Sequence, residues 1–133
     1  QRLGFLLGKT RYLDAAEDTL RSAWRAMDEY PHGHVSLLAA LEEYVEHPEI
    51  VVIRGPQDEI ERWRDSAAKV YAPRRLVFAI PADESGLPGA LADRAPIEGQ
   101  AVAYRCLGTH CEMPVTTWEA LAAQLASSEA PQG

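Results

Sequence analysis

The feature that most constrains the fold of this chain is a strand–helix–strand pattern between residues 50 and 80. Two short apolar runs, residues 50–53 and 76–80, are each closed by a break that contains proline. Between them, apolar residues recur at helical spacing: Ile60, Trp63, Ala67 and Val70. Because two strands joined through a helical crossover run parallel, the pattern predicts a βαβ unit with buried strands.

Residues 1–48 carry helical periodicity only. A first apolar stripe recurs at spacings of three and four: Leu13, Ala16, Leu20, Ala23, Trp24 and Met27. After a turn at residues 31–34, a second stripe follows: Val35, Leu38, Leu41 and Val45. Helices joined by so short a turn should lie antiparallel. A lone helical hairpin buries little, so we expect its outer faces to pack against the rest of the chain or against a missing N-terminal portion.

The C-terminal part predicts one more strand, at residues 101–105, and a closing helix that carries Trp118. Residues 82–100 have the composition of a surface loop with one helical turn. Trp24, Trp63 and Trp118 each fall on an apolar helical stripe and are predicted to pack in the core.

The predicted fold class is therefore α/β, or α+β overall. An antiparallel helical hairpin over residues 1–48 precedes a small three-stranded, mainly parallel sheet with flanking helices over residues 49–127. Residues 128–133 are polar and are predicted to form a flexible tail.

Composition narrows the classes of function. The 133 residues suit one domain, and 47% hydrophobic content is enough for a packed core. A net charge of -7 without a basic stripe argues against nucleic-acid binding. No apolar run approaches the length of a membrane helix, and no signal peptide is recognisable, so the cytoplasm is the expected location. Because the chain opens on Gln1 within an apolar helix end, we expect it to be a fragment of a longer protein.

Reactive side chains concentrate in residues 101–114, which contain both cysteines. Cys106 and Cys111 are separated by four residues, a spacing that allows a disulfide but differs from the Cys-x-x-Cys motif of thioredoxins. Two packed thiols and a disulfide or redox pair are both open alternatives. No cofactor is expected.

A metal site is a further hypothesis for the same segment. Cys106, His110 and Cys111 are suitable zinc ligands, but a structural site needs a fourth. That ligand would come from the helical part, where the histidines are His32, His34 and His47.

His32 and His34 flank a glycine in the turn between the two helices. Since histidine titrates near neutrality, the two could act as an acid/base pair or as metal ligands. The alternative is two exposed turn residues without a chemical role.

The segment Tyr104-Arg105-Cys106-Leu107-Gly108-Thr109-His110-Cys111-Glu112-Met113-Pro114 resembles the C-terminal end of the thioredoxin-domain proteins of the spermatogenesis-associated and YyaL type. Residues 8–16 and 50–55 are similar to other segments of that family. The resemblance implies a parent protein with a thioredoxin-like domain, a helical toroid like that of N-acylglucosamine 2-epimerase, and a small α/β tail. Residues 1–48 would then be the end of the toroid.

Three hypotheses for function follow. The first is a non-catalytic C-terminal structural or interaction module whose partners are the remaining domains of its own chain. The second is part of a thiol-disulfide oxidoreductase that uses Cys106 and Cys111. The third is a carbohydrate-binding or epimerase-type fragment that uses His32 or His34 with an aromatic wall from Trp24.

Overall fold

The computed structural model describes residues 1–127, and it has an α+β fold. The α-helices of this part are Arg2–Leu7 (α1), Thr10–Glu29 (α2), Val35–Val45 (α3), Gln57–Ala67 (α4) and Trp118–Ser127 (α5). The strands are Glu49–Gly55 (β1), Arg75–Pro81 (β2), Val102–Leu107 (β3) and His110–Cys111 (β4). Short 3-10 helices span Pro31–Gly33 and Gly89–Leu91. The predicted tail, residues 128–133, lies outside the described residues.

The strands form one sheet in the order β2-β1-β3-β4. β1 and β2 are parallel, as the βαβ pattern predicts. β3 runs antiparallel to β1, and β4 runs antiparallel to β3. The fold class is confirmed, but in detail the sheet is mixed and four-stranded where the sequence predicted three mainly parallel strands.

β3 is antiparallel because the loop before it leaves and returns at the same end of the sheet. The amide of Ala82 donates to the carbonyl of Gly55 at the end of β1, at 3.0 Å. Ala101, just before β3, also lies against Gly55, so closely that a Cβ on Gly55 would fall 2.7 Å from the Ala101 Cα. β3 therefore starts where β1 ends. A parallel strand would require a crossover back to the start of β1.

β1 is buried along its whole length. On one face, Val51 and Ile53 pack against residues of α4 and α5: Ile60, Trp63, Ala67, Leu121 and Leu125. On the other face, Ile50 and Val52 pack with Leu91 and with residues of α1: Phe5, Leu6 and Leu7. Each fully buried aliphatic side chain contributes on the order of 1.5–3 kcal/mol, so β1 is the centre of the core.

α2 and α3 form the predicted hairpin, but much of its apolar surface is exposed. Glu17 in α2 and Tyr44 near the end of α3 line the same cleft between the two helices, as expected for antiparallel helices. α3 contains no buried residue. Trp24 is 57% exposed, so the prediction that it packs in the core is wrong. It lies at the edge of the α2–α3 contact, where no other described element covers it. None of the helices in residues 1–127 is long and apolar enough to cross a membrane.

A buried ion-pair cluster joins the first three strands. Both carboxylate oxygens of Glu49 are engaged, one by Arg75 Nε and the other by Arg105 Nε, each at 2.5 Å. These three side chains are 9%, 4% and 2% exposed, respectively. Arg105 also donates to Glu112, just beyond β4. Because charges this deeply buried are stable only when paired, the cluster fixes the three strands relative to one another.

Replacing Glu49 with glutamine should destabilise the protein strongly. The change keeps the shape but removes the negative charge that two buried guanidinium groups share. Because Arg105 keeps Glu112 and Arg75 keeps the Leu125 carbonyl, we expect the free energy of unfolding to fall by about 3 kcal/mol, the lower end of the range for a broken buried pair. Urea unfolding followed by far-ultraviolet circular dichroism measures the effect. The matched control is Glu29→Gln, which removes the exposed pair Arg25–Glu29 and should change stability by about 1 kcal/mol or less. If Glu49→Gln and Glu29→Gln lowered the free energy of unfolding by the same small amount, the buried cluster would not stabilise the sheet.

Candidate functional site at the cysteine hairpin

A two-residue turn, Gly108 and Thr109, joins β3 to β4 and places the two cysteines opposite each other. Gly108 has φ 58°, and no non-glycine residue of the described chain has a positive φ. Positive φ at the first turn residue alone is the pattern of a type II′ hairpin turn, which matches the twist of the flanking strands. The local sequence therefore sets the register in which Cys106 faces Cys111.

Cys106 and Cys111 form a disulfide, with their Sγ atoms 2.09 Å apart and their Cα atoms 3.9 Å apart. The sequence left two alternatives open, two packed thiols or a disulfide, and the structure contains the disulfide. Cys106 is 6% exposed, whereas Cys111 is half-buried. Cys111 is therefore the more accessible of the two residues to a reagent in solution.

Arg94 places a positive charge beside both sulfurs. Its Nη2 atom donates to Cys111 Sγ at 3.0 Å and to Cys106 Sγ at 3.4 Å. The guanidinium lies over the ring of Tyr104, 5.6 Å from its centroid, and the Tyr104 hydroxyl donates to the carbonyl of Ala95 at 2.7 Å. Tyr104 therefore holds the arginine and its loop against the hairpin. A guanidinium in this position stabilises a thiolate when the disulfide is opened.

Sequence reasoning missed Arg94. The residue lies in the stretch predicted to be a surface loop, and a single arginine there belongs to no recognisable motif. The nearest local signal is the helical turn expected in that loop, which is observed at Gly89–Leu91. What brings Arg94 to the sulfurs is the packing of this turn on the sheet, through Leu91.

The histidines do not join the cysteines in a metal site within the described residues. No group of three or more His, Cys, Asp and Glu side chains in this part of the chain is placed to hold a metal ion. His110 is exposed on β4, and the disulfide engages both sulfurs, which bind zinc as thiolates. His47 packs on Phe5, with ring centroids 4.9 Å apart. His32 is exposed and His34 half-buried at the turn between α2 and α3.

A separate cleft of about 400 Å³ lies between α2 and α3. Its lining includes Trp24, Tyr44, Glu17 and Arg21. Hydrogen bonds from Arg21 and then from Tyr44 lower the pKa of Glu17 below its ordinary value. His32 and His34 are not part of this lining. The structure thus does not bring together the histidines and the aromatic wall on which the carbohydrate hypothesis depends.

A scan against protein-family models, a search of curated proteins and a search of solved structures each found no match to this chain. The resemblance to the thioredoxin-domain proteins of the spermatogenesis-associated type therefore stays a prediction from the sequence.

Reducing the disulfide should destabilise the folded protein without unfolding it. Cross-linking a loop this short contributes about 2 kcal/mol in the chain-entropy model, and the core around β1 does not include β4. Urea unfolding with and without a phosphine reductant should show a loss of that size. Thiol titration in denaturant should detect no free thiol before reduction and one for each cysteine afterwards. Free thiols in protein purified without reductant would contradict the disulfide.

Proposed function

We propose that this chain carries a reversible disulfide, which it exchanges with thiols. The observation that supports the proposal is the position of the Arg94 guanidinium, with its Nη2 atom 3.0 Å from Cys111 Sγ and 3.4 Å from Cys106 Sγ. A purely structural disulfide does not require a cation on its sulfurs, whereas a thiolate leaving group is stabilised by one. The proposal is the thiol-disulfide alternative from the sequence, with Arg94 added to the two cysteines.

The exchange consists of two balanced steps. The thiolate of a monothiol attacks Cys111 Sγ, the S–S bond breaks, and Cys106 leaves as a thiolate beside Arg94. A second monothiol then attacks the outer sulfur of the mixed disulfide and releases Cys111 as a thiolate. The two protons of the monothiols pass to Cys106 and Cys111. Two monothiols are thus oxidised to one disulfide, while the protein disulfide is reduced to two thiols.

A reversible role agrees with the cytoplasmic location that the sequence favours. Cytosolic proteins rarely keep structural disulfides, and the disulfides they do form are usually transient, catalytic or redox-sensing. Thiols that can act as the exchange partner are abundant in such a compartment.

Replacing Arg94 with methionine should slow the cleavage of the disulfide by 2-mercaptoethanol at neutral pH by at least about tenfold. The estimate follows from the roughly 1.5–3 kcal/mol that a hydrogen bond to a charged group contributes. The rate is measured by quenching with an alkylating reagent and counting modified cysteines. In the reduced protein, the ultraviolet absorbance of the thiolate should fall in parallel.

Two variants control this experiment. Arg62→Met removes an exposed arginine from α4 and should leave the rate unchanged. Arg94→Lys retains a positive charge and should restore most of the rate. If Arg94→Met reacts as fast as Arg62→Met and its thiolate absorbance is unchanged, Arg94 does not assist exchange and the proposal loses its support.

We propose, second, that the chain is a structural and interaction module of a larger thioredoxin-domain protein. The supporting observation is a set of apolar side chains on the helical part that are 57 to 74% exposed: Leu3, Trp24, Tyr30, Val35 and Val45. Exposed apolar residues on neighbouring elements are typical of surfaces that another part of a protein covers. The partner would be the rest of the same polypeptide, and residues 1–48 would complete its toroid. Exchange at the cysteine hairpin is compatible with this role.

On this second proposal, the polypeptide in its native cells should be much larger than the 14.7 kDa of this chain. Trp24 should also be shielded in the full-length protein. Acrylamide quenching of tryptophan fluorescence, compared between each protein and its Trp24→Phe variant, isolates the Trp24 signal in the full-length protein and in the isolated chain. An immunoblot band at 14.7 kDa in native cells, or equal quenching of Trp24 in both proteins, would argue against the module.

A further inference from the structure

A cavity of about 200 Å³ lies directly beside the disulfide. Cys106 and Cys111 both line it, as does Arg94. Most of the remaining wall is apolar and comes from α1, α2, β1 and the turn at Gly89–Leu91: Phe5, Leu6, Leu13, Ile50, Val52 and Leu91. The cavity is therefore an apolar chamber with the reactive sulfurs in its wall.

The cavity is open to solvent on one side. Gly8, Thr10 and Thr109 are part of its lining, and all three residues are exposed. A molecule can thus enter between the start of α2 and the hairpin turn and reach the sulfurs. Among residues 1–127, Arg94 is the one charged residue of the lining, and it lies beside the sulfurs.

The size and lining limit what the cavity can hold. Its volume is below the roughly 300–1,000 Å³ of sites for larger ligands, but apolar cavities of about 150 Å³ hold a benzene-sized molecule. A polar occupant would lose hydrogen bonds to water without replacing them along the apolar wall. An apolar group about as large as one aromatic ring fits both limits.

We infer that this cavity is the substrate-binding site of the exchange reaction, and that it selects monothiols carrying a compact apolar group such as a benzyl ring. The inference rests on the proposed exchange function. With the ring in the cavity, the thiol sulfur lies next to the disulfide that it attacks. The thiolate attacks Cys111 Sγ, and the electron pair of the broken S–S bond remains on Cys106, beside Arg94.

The test compares two monothiols, phenylmethanethiol and 2-mercaptoethanol, as reductants of the folded protein. Both rates are normalised to the thiolate concentration and to the rate of each thiol with oxidised glutathione, which corrects for intrinsic nucleophilicity. Burial of an aromatic ring should make phenylmethanethiol at least about tenfold faster, with a rate that saturates as its concentration rises.

Two alanines provide a matched pair of variants. Ala90 lines the cavity, whereas Ala92 is exposed and outside its lining. Ala90→Leu should fill the cavity and reduce the ratio of the two normalised rates to about one, which removes the preference for phenylmethanethiol. Ala92→Leu should retain the preference.

A separate measurement tests the cavity without any thiol chemistry. Phenylmethanol, which has the ring but no sulfur, should shift the methyl NMR signals of Leu13 and Leu91 in the oxidised protein. This titration also covers the case in which Ala90→Leu fails to fold.

The outcomes separate the inference from the function on which it rests. Equal normalised rates for the two thiols, with no methyl shifts, would overturn the cavity as a substrate site and leave exchange intact. If neither thiol opens the disulfide of the folded protein, the exchange function fails and so does the substrate assignment. If phenylmethanol still shifts the methyl signals in that case, the cavity binds apolar molecules but is not the substrate site of an exchange reaction.

Discussion

The structure depends on the complete burial of β1. A buried strand needs backbone partners on both edges, and β2 and β3 supply them. Its side chains need apolar cover on both faces, which comes from α4 and α5 on one side and from α1 and Leu91 on the other. The short helix α1 and the turn at Gly89–Leu91 are therefore held in place by the second face of β1. The amide of Arg94 donates to the carbonyl of Leu91, the last residue of that turn. The position of the cation beside the cysteines is therefore a consequence of how β1 is covered.

Buried charges also fix the register in which β2 and β3 pair with β1. Glu49 is the first residue of β1, and it binds Arg75, its direct neighbour in β2, and Arg105 on β3. A slip of one residue in either pairing would move an arginine to the opposite face of the sheet, away from the Glu49 carboxylate. Because Arg105 also binds Glu112, the same cluster reaches the residue after Cys111. Glu49, at the start of β1, thus helps to position the hairpin that β3 and β4 form around the disulfide.

How much of this structure the sequence predicts depends on how far apart the deciding residues lie. The runs at residues 50–53 and 76–80 predict β1 and β2 because the burial of a β-branched run is a local property. The direction of β3 could not be predicted, since it depends on a loop that closes back on Gly55. The cysteine spacing allows a disulfide without requiring it, and the turn at Gly108 decides the outcome. Arg94 could not be predicted at all, because no local pattern connects it with a cysteine twelve positions away.

The proposed exchange requires two oxidation states within one fold, and the position of the disulfide at the edge of the sheet is compatible with this requirement. In the described chain, β4 pairs with β3 alone, over two residues. The backbone partners of β1 are β2 and β3, and the apolar clusters on its two faces contain no residue of β4. Arg94 is held by its contact with Tyr104 and by the loop hydrogen bond to Ala95. Neither contact involves a sulfur atom. A thiolate formed at Cys106 would therefore meet a guanidinium that is already in place, and no rearrangement of the loop is needed to stabilise the leaving group.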